Sequence, residues 1–366
     1  MTSPAPRSLA AAVAFAAMAA QSASLTPADA PVVRGRSLET RDGRPLLLQG
    51  VNIPSLEWRP DGDHIREAFA VAIGEWHANC IRLPLKTCLW FGMPKKTDIP
   101  PEALSDEPPE PWASAATAYR ALVDELVAYA NERGAYVVLD LHEFRAPLEE
   151  HAVFWRSAAS RYANRPGVLF DLFNEPYGLT WDAWLRGGEV GSKCDDGAAP
   201  AETDEGASTV RTIGMQALAD AVRDTGARNV LIVGGLDWGY DLSGIPGGRE
   251  IDDKGGDGVV YSTHVYPWKG EWDARVLPVV KDHPVFVGEV GAQEKPMPFE
   301  KTARDPYAWS PEVLAWIRRN GFHWTAWNFH PKCGPSAVLD WSFAPTPCWG
   351  AFVKKALAGQ GDGPVE

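Results

Sequence analysis

Residues 168–176 read Val-Leu-Phe-Asp-Leu-Phe-Asn-Glu-Pro, VLFDLFNEP. An apolar run this short suits a buried strand better than a helix. It stops on Asn174 and Glu175, and Pro176 cannot donate to a strand ladder, so the run cannot extend. A carboxyl group at the mouth of an apolar strand loses water, and desolvation raises its pKa. Glu175 is thereby a candidate proton donor near neutral pH.

Working outward, seven further runs of the same kind appear, at 46–53, 79–85, 135–142, 229–235, 258–266, 284–290 and 322–329. They are mostly continuous rather than alternating, as strands covered on both faces are. Helical periodicity fills the intervals. Ile65, Phe69, Ala72 and Trp76 share one face of a helix over 64–77; others are expected at 113–132, 207–225, 309–320 and 347–357. Pro311 falls early in the helix over 309–320, where proline is tolerated. Long loops are expected at 100–111 and 187–206. Strand followed by helix, eight times, predicts an α/β fold: a single-domain (β/α)8 TIM barrel over 31–366, with a doubly wound sheet as the alternative. No G-x-G-x-x-G follows the first strand and no P-loop is present, which disfavours a nucleotide-binding version.

In such barrels the chemistry sits where strands end. Strand two offers Arg82; strand three Asp140, His142 and, just beyond, Glu143; strand four Asn174 and Glu175. Strand six offers His264 and Tyr266, strand seven Glu289, and strand eight Trp327 and Asn328. A buried polar group without a partner costs about 1–3 kcal/mol, so several on one rim imply a shared site. Glycoside hydrolysis needs two facing carboxyl groups, one protonated to donate to the leaving oxygen and one ionised to attack the sugar carbon. Glu175 and Glu289 are the candidates. Strand alternation turns Glu143 away from His142 and gives it a structural role. Asp140 and Asp171 lie deeper and are expected to bond backbone or arginine inside the barrel.

The Asn-Glu-Pro of LFDLFNEP and the Gly-Glu-x-Gly of VFVGEVG resemble the signatures of the family 5 glycoside hydrolases, the cellulase family of clan A. GVNIP, IRLPL, LDLHE, HVYPW and WTAWNF extend the likeness over nearly the whole chain after its first residues. The resemblance implies that Glu175 is the acid/base and Glu289 the nucleophile of a double displacement with retention. It implies that Arg82 neighbours the nucleophile, Asn174 holds the sugar 2-hydroxyl, and His142 and His264 position sugar hydroxyls or the acid/base. Tyr266 is implied near the nucleophile and Trp327 beneath the sugar being cleaved. The expected activity is that of an endo-β-1,4-glucanase, with endo-β-1,4-mannanase or another β-glycanase as alternatives. A carbohydrate-binding barrel that has lost catalysis is the reading outside the enzyme class.

The chain of 366 residues carries a net charge of −13 with no basic stripe, so nucleic acid is not an expected partner. Residues 1–30 read as a secretory leader: Arg7, then LAAAVAFAAMAA, then small residues, with cleavage after Ala23 or at Ala28-Asp29-Ala30. The expected location is therefore secreted or periplasmic. No later stretch approaches the roughly 20 apolar residues of a membrane span. Export permits disulfides. Cys333 and Cys348 are the first pair expected, Cys88 with Cys194 the second, and Cys80 reads as a buried thiol. No H-E-x-x-H is present, DDKGGDG at 252–258 reads as a turn, and neither a metal nor a cofactor is expected. Among the tryptophans, Trp76, Trp155 and Trp316 fit helical core positions. Trp58, Trp90, Trp181, Trp238, Trp268 and Trp341 follow strands and are candidate sugar platforms in a cleft for a chain-like β-glycan.

Overall fold

The computed structural model describes residues 24–94, 100–191, 209–300 and 304–359. Eight parallel strands close a barrel in chain order: β1 (Gln49–Asn52), β2 (Cys80–Leu85), β3 (Tyr136–Leu141), β4 (Val168–Asp171), β5 (Leu231–Gly234), β6 (Val259–Val265), β7 (Val285–Val290) and β8 (His323–Ala326). Side chains alternate along each strand. The outward set, including Ile81, Leu83, Val137, Leu139, Phe170, Val233 and Val287, packs against the helices in one large core. The inward set is stratified. Cys80, Val138, Leu169, Ile232, Val260 and Phe286 form a smaller apolar core towards the strand starts, and Arg82, Asp140 and Asp171 lie above it. Gly50 makes the closure of β1 on β2 possible: a Cβ there would sit 1.7 Å from the carbonyl oxygen of Cys80.

The outer ring consists of α1 (Ile65–Gly74), α2 (Ala113–Asn131), α3 (Glu149–Arg161), α4 (Gly214–Arg223), α5 (Trp272–Val280), α6 (Pro306–Asn320) and α7 (Gly350–Leu357). After β5 there is only the short turn Leu236–Gly239, with left-handed residues Asp237 and Trp238. The strand–helix alternation therefore lapses once among the described residues; Leu242, Ile245 and Ile251 from the irregular segment supply the apolar cover there. An antiparallel hairpin, Pro31–Arg34 with Ser37–Thr40, lies across the strand starts. Leu38 and Val33 join the inner apolar core, and the Val33 N–H donates to the Asp257 carbonyl.

The structure shifts several expected boundaries. The β4 ladder ends at Asp171 rather than running to Glu175. The reason is a change of partner: Leu172 still donates to Ile232 of β5, whereas Asn174 donates to Leu141 at the end of β3 and Glu175 to Glu143 beyond it. Glu175–Pro176 then pairs with Phe144–Arg145. The helix expected over 207–225 begins at Gly214, because Val210–Thr212 is extended and pairs with Gly188–Val190. Gly214 has φ of 78°, and a Cβ there would lie 2.4 Å from the Gly187 nitrogen, so the helix cannot start earlier. The helix expected over 309–320 starts at Pro306, capped by Asp305, whose carboxylate accepts from the Tyr307 N–H.

Cys80 is buried inside the barrel, as expected. The Cys333–Cys348 bridge is absent. The Cys348 carbonyl is fixed to α6 by the Ser310 hydroxyl, whereas the Cys333 carbonyl accepts from Asn328 at the barrel mouth, so each backbone is tied elsewhere. Cys194 lies outside the described residues. In the 252–258 turn, Asp253 pairs with Arg223, and Asp257 with Arg41 and Arg228.

Candidate active site

Arg82 organises the barrel mouth. It points inward from β2 and is fully buried. Its Nε donates to Asp171 Oδ2 at 2.8 Å, Nη2 lies 3.0 Å from Asp140 Oδ1, and Nη1 donates to Glu289 Oε1 at 2.9 Å. Nη1 and Nη2 also donate to the side-chain oxygens of Asn52 and Asn174, at 3.0 and 2.8 Å. One cation faces three carboxyl groups. Burial pushes Asp140 and Asp171 up to about 7 against the pull of Arg82. The expectation that these two aspartates meet an arginine inside the barrel is met.

Glu289 reaches the mouth through an irregularity in β7. The β6–β7 register shifts between Thr263 and His264, so Thr263 pairs with Val287 and His264 with Glu289, skipping Gly288. A Cβ on Gly288 would lie 2.6 Å from Ser262 Oγ and 3.2 Å from His264 Nε2. The Glu289 carboxylate is held at both oxygens: Oε1 by Arg82, and Oε2 by the Tyr266 hydroxyl, which donates at 2.5 Å. Burial raises its pKa, while the Arg82 charge and the Tyr266 hydrogen bond pull it back.

Glu175 faces it. An oxygen of Glu175, a ring nitrogen of His264 and an oxygen of Glu289 all lie within 4.8 Å of one another. His264 Nδ1 is 3.0 Å from Glu175 Oε1 and 3.6 Å from Glu289 Oε2. Burial, and next the charge of Glu289, raise the Glu175 pKa well above the carboxylate range. Burial and the Arg82 charge keep His264 neutral. The two carboxyl groups therefore differ in environment: Glu289 touches a guanidinium and a phenol, Glu175 a neutral imidazole. Burial raises both pKa values, that of Glu175 well above the carboxylate range, and only Glu289 has a guanidinium and a phenol hydroxyl bound to it.

The remaining expected residues sit on the same rim. His142 Nδ1 pairs with Asp140 Oδ2 at 2.7 Å, and its ring stacks on Trp327 at 5.5 Å and 7°. Burial lowers its pKa to about 3, so it is neutral. The Asn174 amide nitrogen has no protein partner among the described residues. Trp327 Nε1 donates to the Gly334 carbonyl. Glu143 points away, into an ion pair with Lys86 at 2.7 Å.

Sequence reasoning did not single out Asn52, Lys86 or Glu57. Asn52 anchors Arg82 and donates to the Gly288 carbonyl, and only its place at the end of the first strand pointed to it. Glu57 is buried with its pKa raised to about 8 by desolvation. Among the candidate sugar platforms, Trp90 is overturned: it is fully buried, and its indole donates to Ser157. The short helix Thr87–Trp90 turns it into the core against Tyr119 of α2 and Phe154 of α3. Trp58, Trp181, Trp238, Trp268 and Trp341 are each partly exposed. Trp76, Trp155 and Trp316 are core residues, as expected.

A closed parallel barrel that brings two carboxyl groups together at the ends of its fourth and seventh strands has the architecture of the barrel glycoside hydrolases. The chain belongs to the cellulase family, glycosyl hydrolase family 5, whose family model matches residues 40–333. Relatives include endoglucanase C of Evansella cellulosilytica, 23% identical over 81% of this chain and 35% of its own length. Cellulase CelDZ1 of a Thermoanaerobacterium species is 24% identical over 83% and 71%. The chain thus spans about a third of the length of the first of these. A β-glucanase of Saccharophagus degradans, solved in complex with cellotetraose, superimposes with a TM-score of 0.68 at 22% identity, over 90% of this chain and 93% of that one. The catalytic domain of Thermobifida fusca endoglucanase Cel5A gives 0.62 at 17% identity, over 91% and 100%.

Proposed function

We propose that this protein is a secreted retaining glycoside hydrolase that cleaves β-1,4-linked glucan, acting as an endo-β-1,4-glucanase. The observation that carries this reading is the approach of Glu175 and Glu289 to within 4.8 Å in unlike environments. Retaining enzymes hold their two carboxyl groups about 5–5.5 Å apart; inverting enzymes leave about 6.5–9.5 Å for a water. The short separation supports direct attack by Glu289 on the anomeric carbon. Glu175 protonates the departing glycosidic oxygen, then removes a proton from the water that releases the glycosyl-enzyme. Arg82 and Tyr266 hold Glu289 ionised and aimed. The free amide donor of Asn174 suits a sugar 2-hydroxyl, and Trp327 supplies an apolar floor.

Glucan is favoured over mannan because the relatives named above are glucanases and cellulases, one of them solved with cellotetraose. Secretion rests on the leader-like composition of residues 1–30. No helix among the described residues is long and apolar enough to cross a membrane. The deciding experiment is hydrolysis of carboxymethyl-cellulose, glucomannan and mannan by the wild type and by Glu289→Ala, with the anomer of the first product followed by NMR. Cleavage of glucan with retention, lost in Glu289→Ala, is expected. Turnover unchanged in the variant, or an inverted product, refutes the mechanism; binding of glycans without any turnover favours the non-catalytic reading.

A further inference from the structure

Tyr266 stands one residue past the end of β6, and Pro267 follows it. A residue before proline is confined to extended backbone, and residues two apart in an extended chain project to the same side. The rings of Tyr266 and Trp268 accordingly lie parallel, with centroids 4.6 Å apart and planes at 2°. The Lys269 N–H closes a turn onto the Tyr266 carbonyl, and Phe299 meets the Trp268 ring edge to face at 5.1 Å. The buried phenol of Tyr266 is thus held by a half-exposed indole, which an exposed phenyl ring steadies in turn.

From this geometry we infer that Trp268 is a positioning residue for the nucleophile: by covering the Tyr266 ring it fixes the hydroxyl that holds Glu289. The inference rests on the glycosidase reading and extends it to a residue outside the charged site. A phenol donating at 2.5 Å is sensitive to ring tilt, since hydrogen bonds weaken steeply with misalignment. The other groups facing Glu289 do not depend on Trp268. They are Arg82 from β2, Asp140 and His142 from β3, Glu175 beyond β4 and His264 from β6. Loosening the indole therefore removes one contact from the carboxylate and leaves the rest in place.

The test uses an activated aryl β-cellobioside. In Trp268→Ala, kcat falls about tenfold with KM within about twofold, the signature of an interaction that matters in the transition state. The acid limb of kcat/KM moves to higher pH, because Glu289 must be ionised and has lost a hydrogen bond to its charged form. Trp268→Phe restores most of the rate. Tyr266→Phe shifts the limb in the same direction, and adding Trp268→Ala to it costs less than about a further twofold, since coupled residues are not additive. Losses that multiply in the double variant overturn the inference. So does an unmoved acid limb with the loss confined to KM on long glucans, which makes Trp268 a sugar platform only. Carboxyl carbon NMR of Glu289 gives a readout independent of turnover: its titration midpoint rises in Trp268→Ala, and an unchanged midpoint refutes the role. If the wild type cleaves no glucan, the functional reading fails, and the NMR titration still decides the Tyr266–Trp268 relationship.

Discussion

Nη1 of Arg82 donates to Oε1 of Glu289 across 2.9 Å, while the same guanidinium meets Asp140 and Asp171. A lysine offers one compact charge where the arginine fork serves five acceptors. Arg82→Lys is expected to lower kcat by about 10²–10³-fold, in line with losing a preorganised charge contact. Leaving buried carboxyl groups under-compensated costs about 3–5 kcal/mol when a partner is removed outright, and Arg82→Met should approach that figure. Steady-state kinetics and urea unfolding check both; a fully active Arg82→Lys enzyme contradicts the assignment.

Gly288 lets β7 pass under the His264 ring. In Gly288→Ala the new methyl collides with Ser262 Oγ at 2.6 Å and crowds His264 Nε2 at 3.2 Å. His264 leans on Glu175, so the strain reaches the proposed proton donor. A stability loss of about 1–3 kcal/mol is expected from overpacking, with a drop in kcat. Gly270→Ala, where a Cβ meets nothing within 4 Å, is the control and should behave as wild type.

His323, the first residue of β8, is buried and accepts the Leu48 N–H on its Nδ1. Burial lowers its pKa to about 4. The folded state thus binds fewer protons than the unfolded state between about pH 4 and the unfolded value near 6.5. Its contribution to stability is complete above that unfolded value and is lost as pH falls towards the folded one. In His323→Gln the slope of unfolding free energy against pH should flatten in this window, by up to about 1.4 kcal/mol per pH unit. Urea titrations at several pH values across it provide the measurement; an unaltered slope rules the effect out.

Residues Leu25–Asp29 are anchored to the barrel. The Leu25 N–H donates to the Asn131 carbonyl, the Tyr136 hydroxyl to the Asp29 carbonyl, and Thr26 to the Asp29 carboxylate. Of the two cleavage points, processing after Ala23 keeps these contacts and processing after Ala30 destroys them. On the proposal that the protein is secreted, N-terminal sequencing of material recovered outside the cell is expected to begin at Ser24. A version beginning at Pro31 should be less stable by about 1–3 kcal/mol, two or three net hydrogen bonds.

The barrel was legible because parallel strands covered on both faces leave continuous apolar runs, and because most of the polar residues cluster towards their exits. Arg82, His142, Asn174, Glu175, His264, Tyr266, Glu289 and Trp327 are therefore recognisable in the sequence, and the structure gathers them on one rim. What sequence could not show was partner choice. Nothing in VLFDLFNEP says that Leu172 bonds to β5 while Asn174 turns to the end of β3. Nor does composition distinguish Trp90, which a four-residue helix rolls into the core, from Trp268, left half open by a turn. The Cys333–Cys348 pairing failed for a related reason: closeness in sequence does not fix where two backbones are tied. The missing helix after β5 was masked by apolar residues, Ile245 and Ile251, that fill the same space without helical structure.

The hairpin Pro31–Thr40 has a consequence for traffic through the molecule. With Leu38 seated among Leu48, Tyr136 and Leu169, the lower end of the barrel is sealed by hydrocarbon. On the glycosidase reading proposed above, a glycan segment, its severed fragments and the water that completes turnover all use the upper opening. Under that proposal a glycan cannot thread through the barrel, and the departing fragment clears the same opening before the next stretch of substrate settles there.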